Sequence, residues 1–189
     1  MTQILSKKVC MLGDFSVGKT SLIRRFVERQ FSDNYLSTVG VKISKKTVQV
    51  QSLAKENAVS IQMLIWDLEG NTKFKAVTPT YLRGASSAVI VADVSRQVTV
   101  DHILDHVQSF LSVNPQGFAS VAFNKADLLT EEQLRDIFKR LSLDEQRRII
   151  ATYPTSAKTG TNVDKLFYKL ACKMIESTSL TSPKRETPP

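Results

Sequence analysis

The chain is predicted to fold as a doubly wound α/β domain on a mostly parallel six-stranded sheet with one antiparallel edge strand. Three observations predict it. Short β-type runs alternate with amphipathic helical patterns along the chain. Ala88 to Ala92 and Ser120 to Phe123 have the make-up of strands covered on both faces. The connection from Gln51 to Ala58 is too short for a crossover helix, so the strands it joins form an antiparallel pair.

In order, Val9 to Leu12 is an apolar strand that ends at Gly13, and Leu22, Ile23, Phe26 and Val27 recur at helical spacing from Thr20 to Gln30. Val41 to Val50 alternates, with Val41, Ile43, Thr47 and Val50 among lysines, and reads as a strand with one wet face; Val59 to Trp66 returns as a strand. After Ala92 one helix is predicted to carry Val100, Ile103, Leu104, Val107 and Leu111 on a single stripe. Thr130 with Gln133 reads as a capping box opening a helix with core face Leu134, Ile137, Phe138 and Leu141. Ile149 to Tyr153 is the last strand. Val163, Leu166, Phe167, Leu170, Ala171, Met174 and Ile175 make the most regular helical stripe. The domain is expected over residues 1–176. Residues 177–189, rich in Ser, Thr and Pro, are expected to form a flexible tail.

With 189 residues and a 42% hydrophobic fraction, the chain can bury one core. Its net charge of +8 suits nucleic acid, an anionic membrane or a phosphate ligand without choosing among them. Two cysteines, Cys10 and Cys172, rule out a disulfide framework and read as small core residues. No apolar run reaches the ~18 residues of a spanning helix.

Gly13-Asp14-Phe15-Ser16-Val17-Gly18-Lys19-Thr20 matches G-x-x-x-x-G-K-[ST] between a buried strand and an amphipathic helix. Glycines at both ends let the backbone curl so that its N–H groups meet phosphate oxygens, and the helix N-terminus adds positive potential. Asp14, Phe15, Ser16, Val17, Gly18, Lys19, Thr20 and Ser21 are therefore the phosphate-binding candidates. Lys19 can reach the β- and γ-phosphates, and the Thr20 hydroxyl can ligate Mg²⁺. Asn124-Lys125-Ala126-Asp127 follows a buried strand, and a carboxylate at Asp127 accepts from the ring N–H and the exocyclic amine of guanine together. Adenine would leave it unpaired. Ser156-Ala157-Lys158, after the next strand, offers a small backbone-donating turn for the guanine carbonyl.

On these loops the chain resembles the Ras-like small GTPases, and within them the Rab branch, from about Lys7 to Ile175. Trp66-Asp67-Leu68-Glu69-Gly70 resembles the family's W-D-T-A-G segment, Phe31 to Val41 its first switch, and Tyr81-Leu82-Arg83-Gly84-Ala85 its Y-Y-R-G-A stretch. The resemblance implies a P-loop NTPase of small G domain type that binds GTP and GDP with Mg²⁺. It implies that Thr38 caps Mg²⁺ and the γ-phosphate, that Asp67 holds Mg²⁺ through water, that the Gly70 amide meets the γ-phosphate, and that Phe31 packs on the base. For Trp66, plain core packing is the simpler reading. The catalytic set is then Lys19, Thr38, Gly70 and Asn71. An effector, an exchange factor and an activating protein are the expected partners, on a monomer that binds no nucleic acid.

Two residues depart from the family pattern. Asn71 stands where the family places the glutamine that orients water, one methylene short, and Phe15 stands where it keeps a small residue. Both weaken hydrolysis and leave nucleotide binding intact, so a slow GTPase is expected, with a non-hydrolysing pseudo-GTPase as the alternative. No cysteine follows Cys172, so no C-terminal prenyl anchor is expected on the chain as written. The expectation is a cytoplasmic protein whose membrane association is at most peripheral. His102 and His106, beside Asp101 and Asp105, read as a solvated helix face rather than a metal site. Lys42, Lys45 and Lys46 read as an edge strand protected by charge, or as a contact for an acidic effector.

Overall fold

The two uninterrupted apolar runs occupy the interior of one sheet. The computed structural model describes residues 4–32, 38, 40–51, 58–68, 78–141, 143 and 147–181. The strands are β1 (Leu5–Leu12), β2 (Val41–Gln51), β3 (Ala58–Leu68), β4 (Ser87–Asp93), β5 (Phe118–Asn124) and β6 (Ile149–Pro154), in spatial order β2-β3-β1-β4-β5-β6. Every residue of β4 and β5 is buried, which explains why neither strand alternates in sequence. β2 does alternate. It lies at the edge, antiparallel to β3 from Val41↔Leu68 to Gln51↔Ala58, while the other four pairings are parallel. The lysines of β2 therefore sit on an edge strand, where charge discourages further pairing.

Chain order reverses across β1, which pairs with β3 on one side and β4 on the other. Open α/β sheets bind ligands at the carboxyl ends of the strands beside such a reversal. Helices α1 (Lys19–Glu28), α2 (Thr78–Leu82), α3 (Gln97–Asp101), α4 (Ile103–Val113), α5 (Glu131–Arg140) and α6 (Val163–Thr181) complete the elements. One core cluster unites Leu22 and Phe26 of α1 with Leu166, Phe167 and Leu170 of α6, and a second gathers Val100, Ile103, Val107, Phe110 and Ile137. Phe26 and Phe167 stack at 4.1 Å and 11°, fixing α1 against α6.

Two expectations are corrected. The helix after β4 is two helices, α3 and α4, separated at His102. Val100, Ile103, Val107 and Phe110 keep helical spacing across the break and are buried, while Leu104, at the margin of that stripe, is 36% exposed. The C-terminal helix also runs five residues into the segment expected to be a tail. Ser177 Oγ and Thr178 Oγ1 donate to Lys173 O and Met174 O at 2.9 and 2.8 Å, which satisfies their hydroxyls within a helix. Residues 182–189 lie outside the described residues. Among the described residues no helix is long and apolar enough to cross a membrane.

The capping box of α5 forms as expected. Thr130 Oγ1 accepts from Gln133 N at 3.3 Å, and Gln133 Oε1 accepts from Thr130 N at 2.9 Å. Thr130→Ala should cost about 1 kcal/mol, read as a lower urea midpoint at unchanged m-value.

Candidate functional site

Four segments meet at the carboxyl ends of β1, β3, β5 and β6. The first is the loop from Gly13 to Gly18, and sterics dictate both glycines. A Cβ on Gly13, at φ +138°, would lie 2.1 Å from Val91 O. One on Gly18, at φ +97°, would lie 2.3 Å from Asn124 Nδ2. Ser16 holds φ 63° without being glycine, a left-handed turn that costs about 1 kcal/mol. Lys19 is buried and donates to Gly13 O and Asp14 O, both at 2.8 Å. Burial pushes its ammonium down to about 8, while Asp67 and Asp14 pull it back up. The loop thus holds a cation in place over its own carbonyls.

The second cluster is all oxygen. Thr20 Oγ1 donates to Asp67 Oδ2 at 2.6 Å, Thr38 Oγ1 reaches the same atom at 3.2 Å, and the two hydroxyls lie 2.7 Å apart. Asp67 is 1% exposed, and its Oδ1 is buried without a hydrogen-bond partner among the described residues. Burial drives its carboxyl above the ordinary range, against the lowering pull of the Thr20 hydrogen bond and Lys19. An orphaned carboxylate oxygen beside two hydroxyls is a donor set suited to a hard divalent cation.

The third segment follows β5. Asn124 is buried; its Nδ2 donates to Val17 O at 2.9 Å and its Oδ1 accepts from Ala157 N at 3.2 Å. Asn124 therefore joins the phosphate loop to the 156–158 turn by engaging its Ala157 N–H. Lys125 adopts a left-handed conformation, and Asp127 lies exposed in a short 3-10 turn, Ala126–Leu128. Ser156 is buried and its Oγ accepts from Thr159 N at 3.1 Å, while Lys158 is exposed.

Four residues that carry no signature in sequence organise this site. Asp93, 1% exposed at the end of β4, accepts from Lys125 Nζ at 2.6 Å, Arg96 Nε at 3.0 Å, Ser95 N at 3.0 Å and Ser95 Oγ at 2.6 Å. Arg96 in turn donates through Nη2 to Phe15 O at 2.9 Å. Ser95 completes the Asp93 cradle. From α1, Arg25 Nε donates to Ala157 O at 2.7 Å and Nη2 to Lys158 O.

The sequence-derived set is thus brought together from Asp14 to Ser21 and at Thr38, Asp67, Asn124, Lys125, Asp127 and Ser156 to Lys158. Gly70 and Asn71 lie outside the described residues. Phe31, implied to cover the base, is half-buried against the core cluster that contains Phe26 and Ala157. Trp66 is half-buried and packs against the second core cluster, as core packing expects, with Lys8 Nζ 3.9 Å above its ring. His102 and His106 are not merely solvated: both bind Asp14, by Nδ1 to Oδ2 at 2.8 Å and by Nε2 to Oδ1 at 3.0 Å.

A glycine-edged loop opening a helix, an oxygen cluster beside its lysine, and two further loops converging on it define a P-loop nucleotide-site architecture. The Ras family model matches residues 8–176. The chain is 35% identical to the Ras-related protein Rab-22A of Homo sapiens over 178 residues, 93% of this chain and 87% of that protein. It is 33% identical to the Ras-related protein RABF2a of Arabidopsis thaliana, over 90% of this chain and 82% of that protein. It is 31% identical to the GTP-binding protein ypt5 of Schizosaccharomyces pombe, over 90% and 78%. The chain belongs to the Ras family and is a Rab-like small GTPase.

Proposed function

We propose that this chain is a guanine-nucleotide switch that binds GTP and GDP with Mg²⁺ and hydrolyses GTP slowly. The observation that carries the reading is the convergence of Lys19, Thr20, Thr38 and the orphaned Asp67 Oδ1 at one end of the site, with Asn124 and Ala157 at the other. Phosphate oxygens would replace Gly13 O and Asp14 O as acceptors for Lys19 and restore a full counter-charge to it. Thr20, Thr38 and Asp67 would hold Mg²⁺, which when bound neutralises charge on the β- and γ-phosphates. Asp127 would select guanine, with the Ala157 amide and Lys125 beside the base and Phe31 at its edge. Effector, exchange factor and activating protein would read the two segments around Thr38 and Gly70. The domain is proposed to extend to Thr181, with the tail beyond it and any membrane association peripheral.

Turnover is the finer part of the reading. Asn71 withdraws the carboxamide by about 1.5 Å from where the family's glutamine orients water, and in-line attack depends on finer placement than that. The Phe15 side chain stands 47% exposed on the phosphate loop, where it would crowd a γ-phosphate or an incoming arginine. The same two residues favour the second reading, a nucleotide-bound module with negligible hydrolysis.

Single-turnover GTP hydrolysis tests this directly. The unaltered chain should turn over about ten-fold or more below the ~10⁻⁴ s⁻¹ order of an unassisted small GTPase. Asn71→Gln should raise that rate by about ten-fold or more if water placement limits it. An unaltered chain as fast as an ordinary small GTPase would refute slow hydrolysis. No turnover in either chain favours the pseudo-GTPase.

A further inference from the structure

Helix α1 reaches the base end of the site through one side chain. Arg25 Nε donates to Ala157 O at 2.7 Å and its Nη2 donates to Lys158 O, so one guanidinium spans two successive peptide carbonyls. The Arg25 stem lies against Gly160, where an added Cβ would stand 3.7 Å from Arg25 Cδ. The helix that carries the fork is itself fixed. Phe26 stacks on Phe167, and one turn on from Arg25 the Arg29 Nη1 meets both carboxylate oxygens of Asp164 at 2.6 Å. A planar fork on an anchored helix loses little freedom in making its two bonds.

Most of the turn is held from elsewhere. Ser156 Oγ accepts from Thr159 N at 3.1 Å, and Gly160 N donates to Ser156 O at 2.8 Å. Asn124 Oδ1 takes the Ala157 N–H. The peptide between Ala157 and Lys158 differs. Its carbonyl is held by Arg25, and its N–H, that of Lys158, has no partner among the described residues. The bond is trans, so the two groups point in opposite directions. Holding the Ala157 carbonyl toward α1 therefore turns the Lys158 N–H away from it.

We propose that Arg25 is a positioning residue for the base: it holds the 157–158 peptide so that the Lys158 N–H donates to the oxygen at position six of guanine. This rests on the guanine-nucleotide reading above. Arg25 acts through the turn, from the side opposite that donor. A peptide released from Arg25 can rotate, and a dispersed donor binds its acceptor less well than a fixed one. A link that only stabilised the fold would weaken every nucleotide alike. A positioned donor matters only to a ligand whose atom at position six accepts well.

The test displaces a fluorescent GDP with unlabelled GDP or with 6-thio-GDP, whose sulfur is the weaker acceptor and which keeps the ring N–H and exocyclic amine. The unaltered chain should prefer GDP by about ten-fold, the worth of one well-placed hydrogen bond. Arg25→Ala should bind GDP about ten-fold more weakly and 6-thio-GDP about two-fold more weakly, so the preference falls to about two-fold. Arg25→Lys keeps the charge with a point donor in place of the fork, and should hold a preference of about three-fold. It carries the test should the alanine variant not fold. A preference that stays near its unaltered value in the variants, whatever the loss of affinity, would overturn the proposal and leave nucleotide binding standing. An unaltered chain that does not distinguish the two nucleotides would do the same. An unaltered chain that binds neither would overturn both readings.

Discussion

Gly18→Ala should weaken guanine-nucleotide affinity by about a thousand-fold, the largest loss expected from a single added methyl group. Two costs add. At φ +97° an L-residue meets left-handed strain of about 1–2 kcal/mol. The new Cβ would also fall 2.3 Å from Asn124 Nδ2, so the amide must leave. Its bonds to Val17 O and Ala157 N would go with it, and a buried polar group stripped of its partner costs about 1–3 kcal/mol. The substitution thus damages the phosphate and base ends together, although it touches only one. Titration with a fluorescent GDP measures it, and an affinity within ten-fold of the unaltered chain would refute the steric argument.

Asp93→Asn should lower thermal stability by about 8 °C, from a loss of about 3 kcal/mol. The carboxylate is 1% exposed and answers two cations, Lys125 and Arg96, that an amide cannot neutralise. Burial raises the Asp93 carboxyl, but the Lys125 and Ser95 hydrogen bonds outweigh it and hold it below the ordinary range. The native state therefore binds this proton less readily than the unfolded chain does. The stability is fully present above the ordinary carboxylate pKa of about 3.9 and is lost only as pH falls through the lower native value. The gap between unaltered and variant midpoints should stay constant from pH 5 to 8 and close at acid pH. Thermal unfolding by circular dichroism reads this, and a gap that narrows near neutrality would count against it.

The fold was legible because its signals are local. β4 and β5 read as buried strands from their apolar runs, and Thr130 with Gln133 announced a helix start that forms as read. The phosphate loop was legible for the same reason, with strand, loop and helix contiguous from Val9 to Glu28. What was not legible depends on contacts between segments distant in the chain. Arg25 binds carbonyls more than 130 positions away, and Arg96 binds one 81 positions away. A carbonyl has no residue type, so nothing in sequence marks its partner. The histidine face was misread for a related reason: periodicity says which side of a helix avoids the core, not what lies opposite. Leu104 lies at the margin of the stripe that Val100, Ile103, Val107 and Phe110 bury, and spacing alone does not say where that margin falls.

Arg25 lends α1 a second meaning. The helix begins at Lys19, against the phosphate loop, and six residues later Arg25 ties it to the turn expected to receive the base. At 1.5 Å per residue that is about 9 Å of rigid rod. The spacing between the two ends of the site is therefore set by helical rise rather than by the posture of loops. On the proposed function, helix α1 would gauge ligand length: a nucleotide long enough to touch both ends would be held by both, and a fragment that satisfied one end would leave the other to water.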